Sequence, residues 1–237
     1  MKILIYTALT LMIFGTFTRC KKNNDKAPEC RIISATGVPG GASYQLTYDN
    51  TGKLSRVVLG QGVITYDYTG NGNMVTVTNM DSGQFRSRTV VTLNPVGLAS
   101  NVRVEDDLTG ATWSNTSYEY NGDELSRSTS TSSAGGAPSV STYTWSDGNM
   151  ISATTDPTGP MPSTSTFEYY TDKPRQNGDF LLLLQLLQGY EIYRNKNLIK
   201  GISGAVLTYI FAKDGKIASL EVAEGTTSFL DYQYQCN

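Results

Sequence analysis

Histidine is absent from this chain of 237 residues, and its absence excludes several common kinds of active site. A Ser-His-Asp triad, a Cys-His pair and a His-Glu-x-x-His zinc site all require an imidazole. The glycine-rich segment 69–73 lacks the alternating acids of a calcium loop, and Gly135-Gly136 lacks the spacing of a phosphate-binding loop. We therefore expect neither a metal nor a cofactor.

Charged residues are also scarce, at 17% of the chain, and the formal net charge is −2. The longest basic run is Lys21-Lys22, so the sequence has no basic patch of the kind that nucleic acid requires. We expect no nucleic-acid partner. The aromatic residues comprise 15 Tyr, 7 Phe and 2 Trp, a tyrosine-rich set that favours strands over helices.

The first thirty residues have the layout of an export signal. A positive start is followed by an apolar run from Ile3 to Phe17, which is too short to span a membrane comfortably, and then by Cys20. A cysteine directly after the apolar run is typical of a bacterial lipoprotein signal. We expect a signal peptide over 1–19, a lipidated Cys20 that anchors the protein to the membrane, and a polar linker over 20–29. The alternative is ordinary secretion, with Cys20 removed or unpaired.

The other two cysteines, Cys30 and Cys236, lie at opposite ends of the expected domain, which spans 30–237. Disulfides persist in the oxidising environment that exported proteins meet. We predict that these two cysteines pair and join the first strand to the last; two separate free thiols are the alternative.

One pattern repeats from Tyr44 onward: alternating aromatic and polar residues, a turn with Asp, Asn or Gly, and a polar-apolar return. The turn glycines Gly72, Gly97, Gly122 and Gly148 recur every 25 or 26 residues, a spacing that suits two strands and two turns. A hairpin can bury only one face, so successive hairpins should pair edge to edge. The pattern predicts an all-β fold, a curled antiparallel meander that forms an open or closed barrel-like sheet.

One segment breaks the strand pattern. Residues 180–188 are mostly leucine, Asp179 is a candidate N-cap and Gly189 a candidate stop. This predicts a short helix near 179–188, apolar nearly all round and therefore buried, which covers or plugs the concave face of the sheet. A partner-binding helix is the alternative.

The lipoprotein-like start, the tyrosine-aspartate-glycine hairpins and the leucine segment followed by Lys196-Asn197-Leu198 together resemble a Bacteroidota envelope lipoprotein family. That family is a domain of unknown function with a porin-like fold. The hairpins also resemble the tyrosine-aspartate repeats of toxin-encapsulating shells. The resemblance implies a curved or barrel-like sheet in an envelope protein and carries over no catalytic residue.

Aliphatic residues nearly vanish between about Trp113 and Pro162, whereas aromatic residues persist. One hypothesis is that these aromatics line a solvated groove that stacks on a glycan or peptide. The alternative is that they are the inward row of two hairpins. The candidate groove residues are Trp113, Tyr118, Tyr120, Tyr143 and Trp145.

The sequence therefore predicts an exported, lipid-anchored protein of the cell envelope, anchored at the outer membrane, with a non-catalytic binding or scaffolding role. A glycan or an envelope protein is the expected partner. One alternative is a glycan-active hydrolase, which would need a pair of carboxylates. A fragment of a toxin-encapsulating shell is the other. The candidate acids are Glu105, Asp106, Asp107, Asp123, Glu124, Asp147, Asp156 and Asp214, most of them in turn contexts.

Overall fold

The computed structural model describes residues 30–38, 41, 43–156, 162–224 and 226–236. The expected signal peptide, Cys20 and the linker over 20–29 lie outside the described residues.

The described residues form sixteen strands and one α-helix, joined mainly by short turns, one of which is a 3-10 turn at Gly70–Gly72. The elements in chain order are β1 (Cys30–Val38), β2 (Ser43–Tyr48), β3 (Leu54–Leu59), β4 (Gly62–Thr69), β5 (Met74–Asp81), β6 (Gln84–Leu93), β7 (Ala99–Glu105), β8 (Trp113–Asn121), β9 (Glu124–Ser132), β10 (Ser139–Ser146), β11 (Asn149–Asp156), β12 (Ser163–Pro174), α1 (Phe180–Gln188), β13 (Asn197–Ile202), β14 (Ala205–Phe211), β15 (Ile217–Glu224) and β16 (Thr226–Cys236).

Every strand pairs antiparallel with its neighbour in the sequence, and β1 pairs with β16, so the sheet is a closed barrel. Cys30 lies directly opposite Cys236 in the β1–β16 register, and the two form a disulfide. The predicted all-β meander and the predicted disulfide are both confirmed. Closure leaves neither β1 nor β16 with an unpaired edge that could recruit another strand.

Because the strands alternate in direction, their turns alternate between the two ends of the barrel. The end that holds the disulfide, here called the disulfide end, also holds the turns with Gly72, Gly97, Gly122 and Gly148. All four glycines have positive φ, between 63° and 87°, a conformation that costs glycine little. The 25-residue spacing therefore marks successive turns at one end. The opposite end, here called the distal end, holds turns such as those at 60–61 and 82–83.

The strands bury one face and expose the other. Leu46, Val57, Tyr66 and Val75 are all buried and face the lumen, as the period-two pattern predicts. Charged residues recur on the outer face of the wall, at Arg56, Asp67, Arg88, Arg103, Glu119, Arg127, Glu168, Lys200, Glu221 and Asp231. Exposed apolar residues lie among them, at Met74, Ile151, Val206, Ile210 and Phe229, so the outer wall mixes charged and apolar side chains.

Helix α1 belongs to residues 175–196, here called the plug segment, which connects β12 to β13 at the disulfide end. The Asp179 carboxylate accepts from the backbone N–H of Leu182 at 3.0 Å, and Gly189 ends the helix at φ 84°. Tyr66 donates from the lumen wall to the Leu187 carbonyl at 2.5 Å. The predicted helix, its cap and its stop are confirmed, and the helix plugs one end of the lumen. Within the described part of the chain, no helix has the length and apolarity needed to cross a membrane.

Candidate functional site

The plug segment is held by hydrogen bonds to several strands and turns. The Ala99 N–H donates to the Glu191 carbonyl at 2.8 Å, and the Lys196 N–H donates to the Gly148 carbonyl at 2.9 Å. The Asn177 amide donates to the Cys30 carbonyl at 2.9 Å. These contacts reach β1, β7 and the β10–β11 turn. The plug segment is therefore bonded to distant parts of the barrel wall as well as connected to β12 and β13.

Four of the five candidate groove aromatics lie together on the lumen face of β8 and β10. The Tyr120 hydroxyl donates to the Ala99 and Ile192 carbonyls at 2.7 and 3.0 Å. The Tyr143 hydroxyl pairs with Ser128 Oγ at 2.9 Å, and the Trp145 indole N–H donates to the Leu125 carbonyl at 2.8 Å. Burial raises the pKa of Tyr118 and of Tyr120. Three of the four polar tips are therefore bonded within the protein.

Trp113 is separated from this group, which corrects the expectation of a single groove with five aromatic residues. It lies one residue out of phase with Tyr118 and Tyr120 on β8, so its side chain is on the outer face. The Arg103 guanidinium stacks on its ring, with Cζ 4.6 Å from the ring centroid. The low aliphatic content of the region had suggested a shared role that strand alternation does not allow.

Hydroxyl groups replace aliphatic side chains on the lumen face of β8 to β11. Thr116 Oγ1 pairs with Ser130 Oγ at 2.8 Å, and Ser141 Oγ pairs with Thr155 Oγ1 at 2.7 Å. Each pair joins adjacent strands across the wall. This explains why the aliphatic-poor centre of the chain still forms sheet: its cross-strand contacts are hydrogen bonds between hydroxyls.

The helix forms the floor of the lumen on the distal side. Leu184, Leu187 and Gln188 share one helix face, and the Leu184 side chain is exposed, at 40%. Above this floor a cavity of about 140 Å³ lies against β4, β5 and β6. It is lined by Ile64, Val77, Asn79, Ser87, Thr89, Leu187, Gln188 and Tyr190. This space, here called the lumen pocket, is the candidate functional site.

The acids of the distal half are held in ways that do not suit a general acid. Hydrogen bonds from Arg103 and Arg88 lower the pKa of Glu105, which lies on the outer face. Hydrogen bonds from Thr109 and Thr112 lower the pKa of Asp107 in its turn. A general acid needs the opposite shift, because it must stay protonated near neutral pH.

The remaining acids of the sequence analysis are divided between the two ends of the barrel. Asp106 lies beside Asp107 in the distal turn, Asp156 ends β11 at the distal end, and Glu124 begins β9 at the disulfide end. Asp123, Asp147 and Asp214 lie in turns at the disulfide end, whereas the side chain of Asp156 is not described. Burial raises the pKa of Asp179, a plug residue, but its two oxygens accept from the Leu182 and Ile199 backbone N–H groups, each at 3.0 Å. None of these acids lines the lumen pocket.

Sequence reasoning missed the polar residues of the lumen pocket. Asn79 and Gln188 are 109 positions apart and meet only through the barrel register and the plug. One signal was available: alternation places Asn79 on the same face of β5 as Val75 and Val77, where an amide is out of place in an apolar core. An uncharged amide at a predicted inward position indicates a polar space.

No protein-family model matches the sequence, and no curated protein does. Among solved structures, the fold is similar to a crystal structure of a porin-like protein from Bacteroides uniformis ATCC 8492, with a TM-score of 0.63 and 14% identity over 86% of this chain and 98% of that one. It is also similar to a porin-like protein from Bacteroides vulgatus ATCC 8482, with a TM-score of 0.62 and 16% identity over 87% and 99% of the two chains. At such identities the likeness shows the fold alone, and the porin-like fold is the one that the sequence resemblance implied.

Proposed function

We propose that the protein is exported, anchored to the cell envelope through a lipid on Cys20, and binds a ligand without catalysing a reaction. The observation that carries the proposal is the position of Cys30. Residue 30 follows the expected linker and lies at the plugged disulfide end, so a tether attached there directs the distal end away from the membrane. The lumen pocket lies on the distal side of the plug, which is the side that faces away from such a tether.

The placement of the acids supports a binding role over the rival hydrolase. A glycosidase needs two carboxylates about 5 to 10 Å apart on either side of the scissile bond. Here Glu105 lies on the outer face and forms ion pairs with Arg88 and Arg103. Asp123, Asp147 and Asp214 lie at the opposite end of the barrel from the turn that holds Asp107.

Closure of the barrel also weighs against the other rival, a fragment of a toxin-encapsulating shell. A shell built from hairpin repeats extends its sheet through further strands. Here the edges of β1 and β16 are already paired with each other and joined by the disulfide.

Labelling with an alkyne analogue of palmitate in a bacterial host tests the anchor. The full chain should become labelled and sediment with the membrane fraction. Cys20→Ala should abolish the label and release the protein, whereas Cys236→Ala should keep the label because it removes a cysteine outside the signal. Labelling that persists in Cys20→Ala, or a wild-type chain that is never labelled, would refute the anchor.

A further inference from the structure

We propose that the lumen pocket binds a neutral sugar unit, with Asn79, Ser87, Thr89, Gln188 and Tyr190 as its polar contacts. This rests on the proposed binding function and names its ligand class and residues. The first observation is that these five side chains converge on one cavity from two strands and the plug segment. Among the described residues, none of their side-chain polar atoms has a hydrogen-bond partner.

Some lumen tyrosine hydroxyls are bonded within the fold, whereas others, such as the buried hydroxyl of Tyr232, have no hydrogen-bond partner among the described residues. Tyr66 donates to the Leu187 carbonyl, Tyr120 to the Ala99 carbonyl and Tyr169 to the Met150 carbonyl. Tyr190 has no such acceptor, although burial raises its pKa. Among the described residues, the side-chain atoms that are fully buried without a partner are Arg175 Nη1 and Tyr232 Oη, so the polar atoms of the lumen pocket are accessible to solvent. A ligand that binds there exchanges hydrogen bonds with water for hydrogen bonds of its own.

The chemistry of the lining selects an uncharged ligand. Every residue that lines the pocket is neutral, so an ion would lose its hydration without meeting an opposite charge. Amides and hydroxyls both donate and accept, which matches the hydroxyls of a sugar. Ile64, Val77 and Leu187 supply apolar surface for the C–H faces of a ring.

The size of the pocket limits the ligand. Its volume of about 140 Å³ is below the several hundred Å³ typical of sites for drug-sized molecules. The pocket therefore suits a single sugar ring or the terminal unit of a longer glycan.

Saturation-transfer NMR and calorimetry on the full chain test the proposal, with the methyl glycosides of glucose, galactose, mannose and N-acetylglucosamine as probes and that of glucuronic acid as the charged counterpart. At least one neutral glycoside should bind, and more tightly than the glucuronide. Asn79→Leu and Thr89→Val should each weaken binding several-fold, and together by at least about tenfold. Both should keep the melting temperature of the wild type, since neither removes a hydrogen bond within the protein.

Thr92→Val is the matched control, because Thr92 lies on the outer face of the same strand as Thr89; it should bind like the wild type. Failure of all four neutral glycosides to bind, or preference for the glucuronide, would overturn the proposal. So would unchanged affinity in the Asn79→Leu/Thr89→Val double variant, which would place the sugar elsewhere. The anchoring experiment is read out independently, so the failure of one is distinguishable from the failure of the other.

Discussion

Replacing Gly189 with alanine tests whether the helix is packed inside the barrel as described. Gly189 ends α1 at φ 84°, and a Cβ built on it would lie 2.5 Å from Cδ1 and 2.7 Å from Cε1 of Tyr66. Tyr66 is only 7% exposed, and its hydroxyl is bonded to the Leu187 carbonyl, so the ring has little room to retreat. Gly189→Ala should therefore force apart the floor of the lumen and the wall of β4.

Gly215 provides a matched control, because it has the same φ of 84° but no atom within 4 Å of a built Cβ. The left-handed backbone should cost alanine about 1–2 kcal/mol at either position. Only Gly189→Ala adds an overpacking cost of about 1–3 kcal/mol. We expect the free energy of unfolding to fall by about 2–5 kcal/mol in Gly189→Ala and by about 1–2 kcal/mol in Gly215→Ala.

Urea unfolding followed by circular dichroism gives both values, and a double-mutant cycle with Tyr66→Leu isolates the contact. Removing the ring should make the Gly189→Ala cost smaller by at least about 1 kcal/mol. Equal losses in the two glycine variants, or fully additive effects in the cycle, would show that Tyr66 does not pack on the end of the helix.

Two other predictions concern the disulfide and the two tryptophans. Replacing Cys30 and Cys236 together with alanine removes a cross-link between residues 206 positions apart, and the lost chain-entropy term should lower the free energy of unfolding by at most about 5 kcal/mol. The wild type in reductant should unfold at the same urea concentration as the double variant. A double variant with the urea midpoint of the oxidised wild type would contradict a stabilising role. Trp145→Ala should lower the free energy of unfolding by about 3–5 kcal/mol, because it leaves a cavity in the lumen and removes the hydrogen bond to the Leu125 carbonyl. Trp113→Ala on the outer face should cost less than half as much. A folded and equally stable Trp145→Ala variant would instead favour the ligand groove.

Local patterns in the sequence were enough to predict the repeated hairpins, several of their turns and the helix. Alternation of Tyr44, Leu46 and Tyr48 predicted a shared inward face, and the structure places all three toward the lumen. Asp179 and Gly189 predicted the helix ends, because capping depends on only a few neighbouring residues.

Long-range features were harder to predict. Whether β1 and β16 meet depends on the tilt and register accumulated over all sixteen strands, which no local pattern contains. The lumen pocket depends on that register and on the depth of the plug, so Thr89 and Tyr190 could not be paired in advance. Trp113 was misplaced because low aliphatic content describes a region, whereas the face of a strand is decided residue by residue.

The position of the disulfide has a mechanical consequence. A pull that enters the domain at Cys30 would, without the covalent bond, peel β1 from the wall one hydrogen bond at a time. With Cys30 bonded to Cys236, the same load divides between two strands that end side by side and is shared by the β1–β2 and β15–β16 ladders. A domain that is tethered at Cys30 can therefore bear tension without β1 detaching from the sheet.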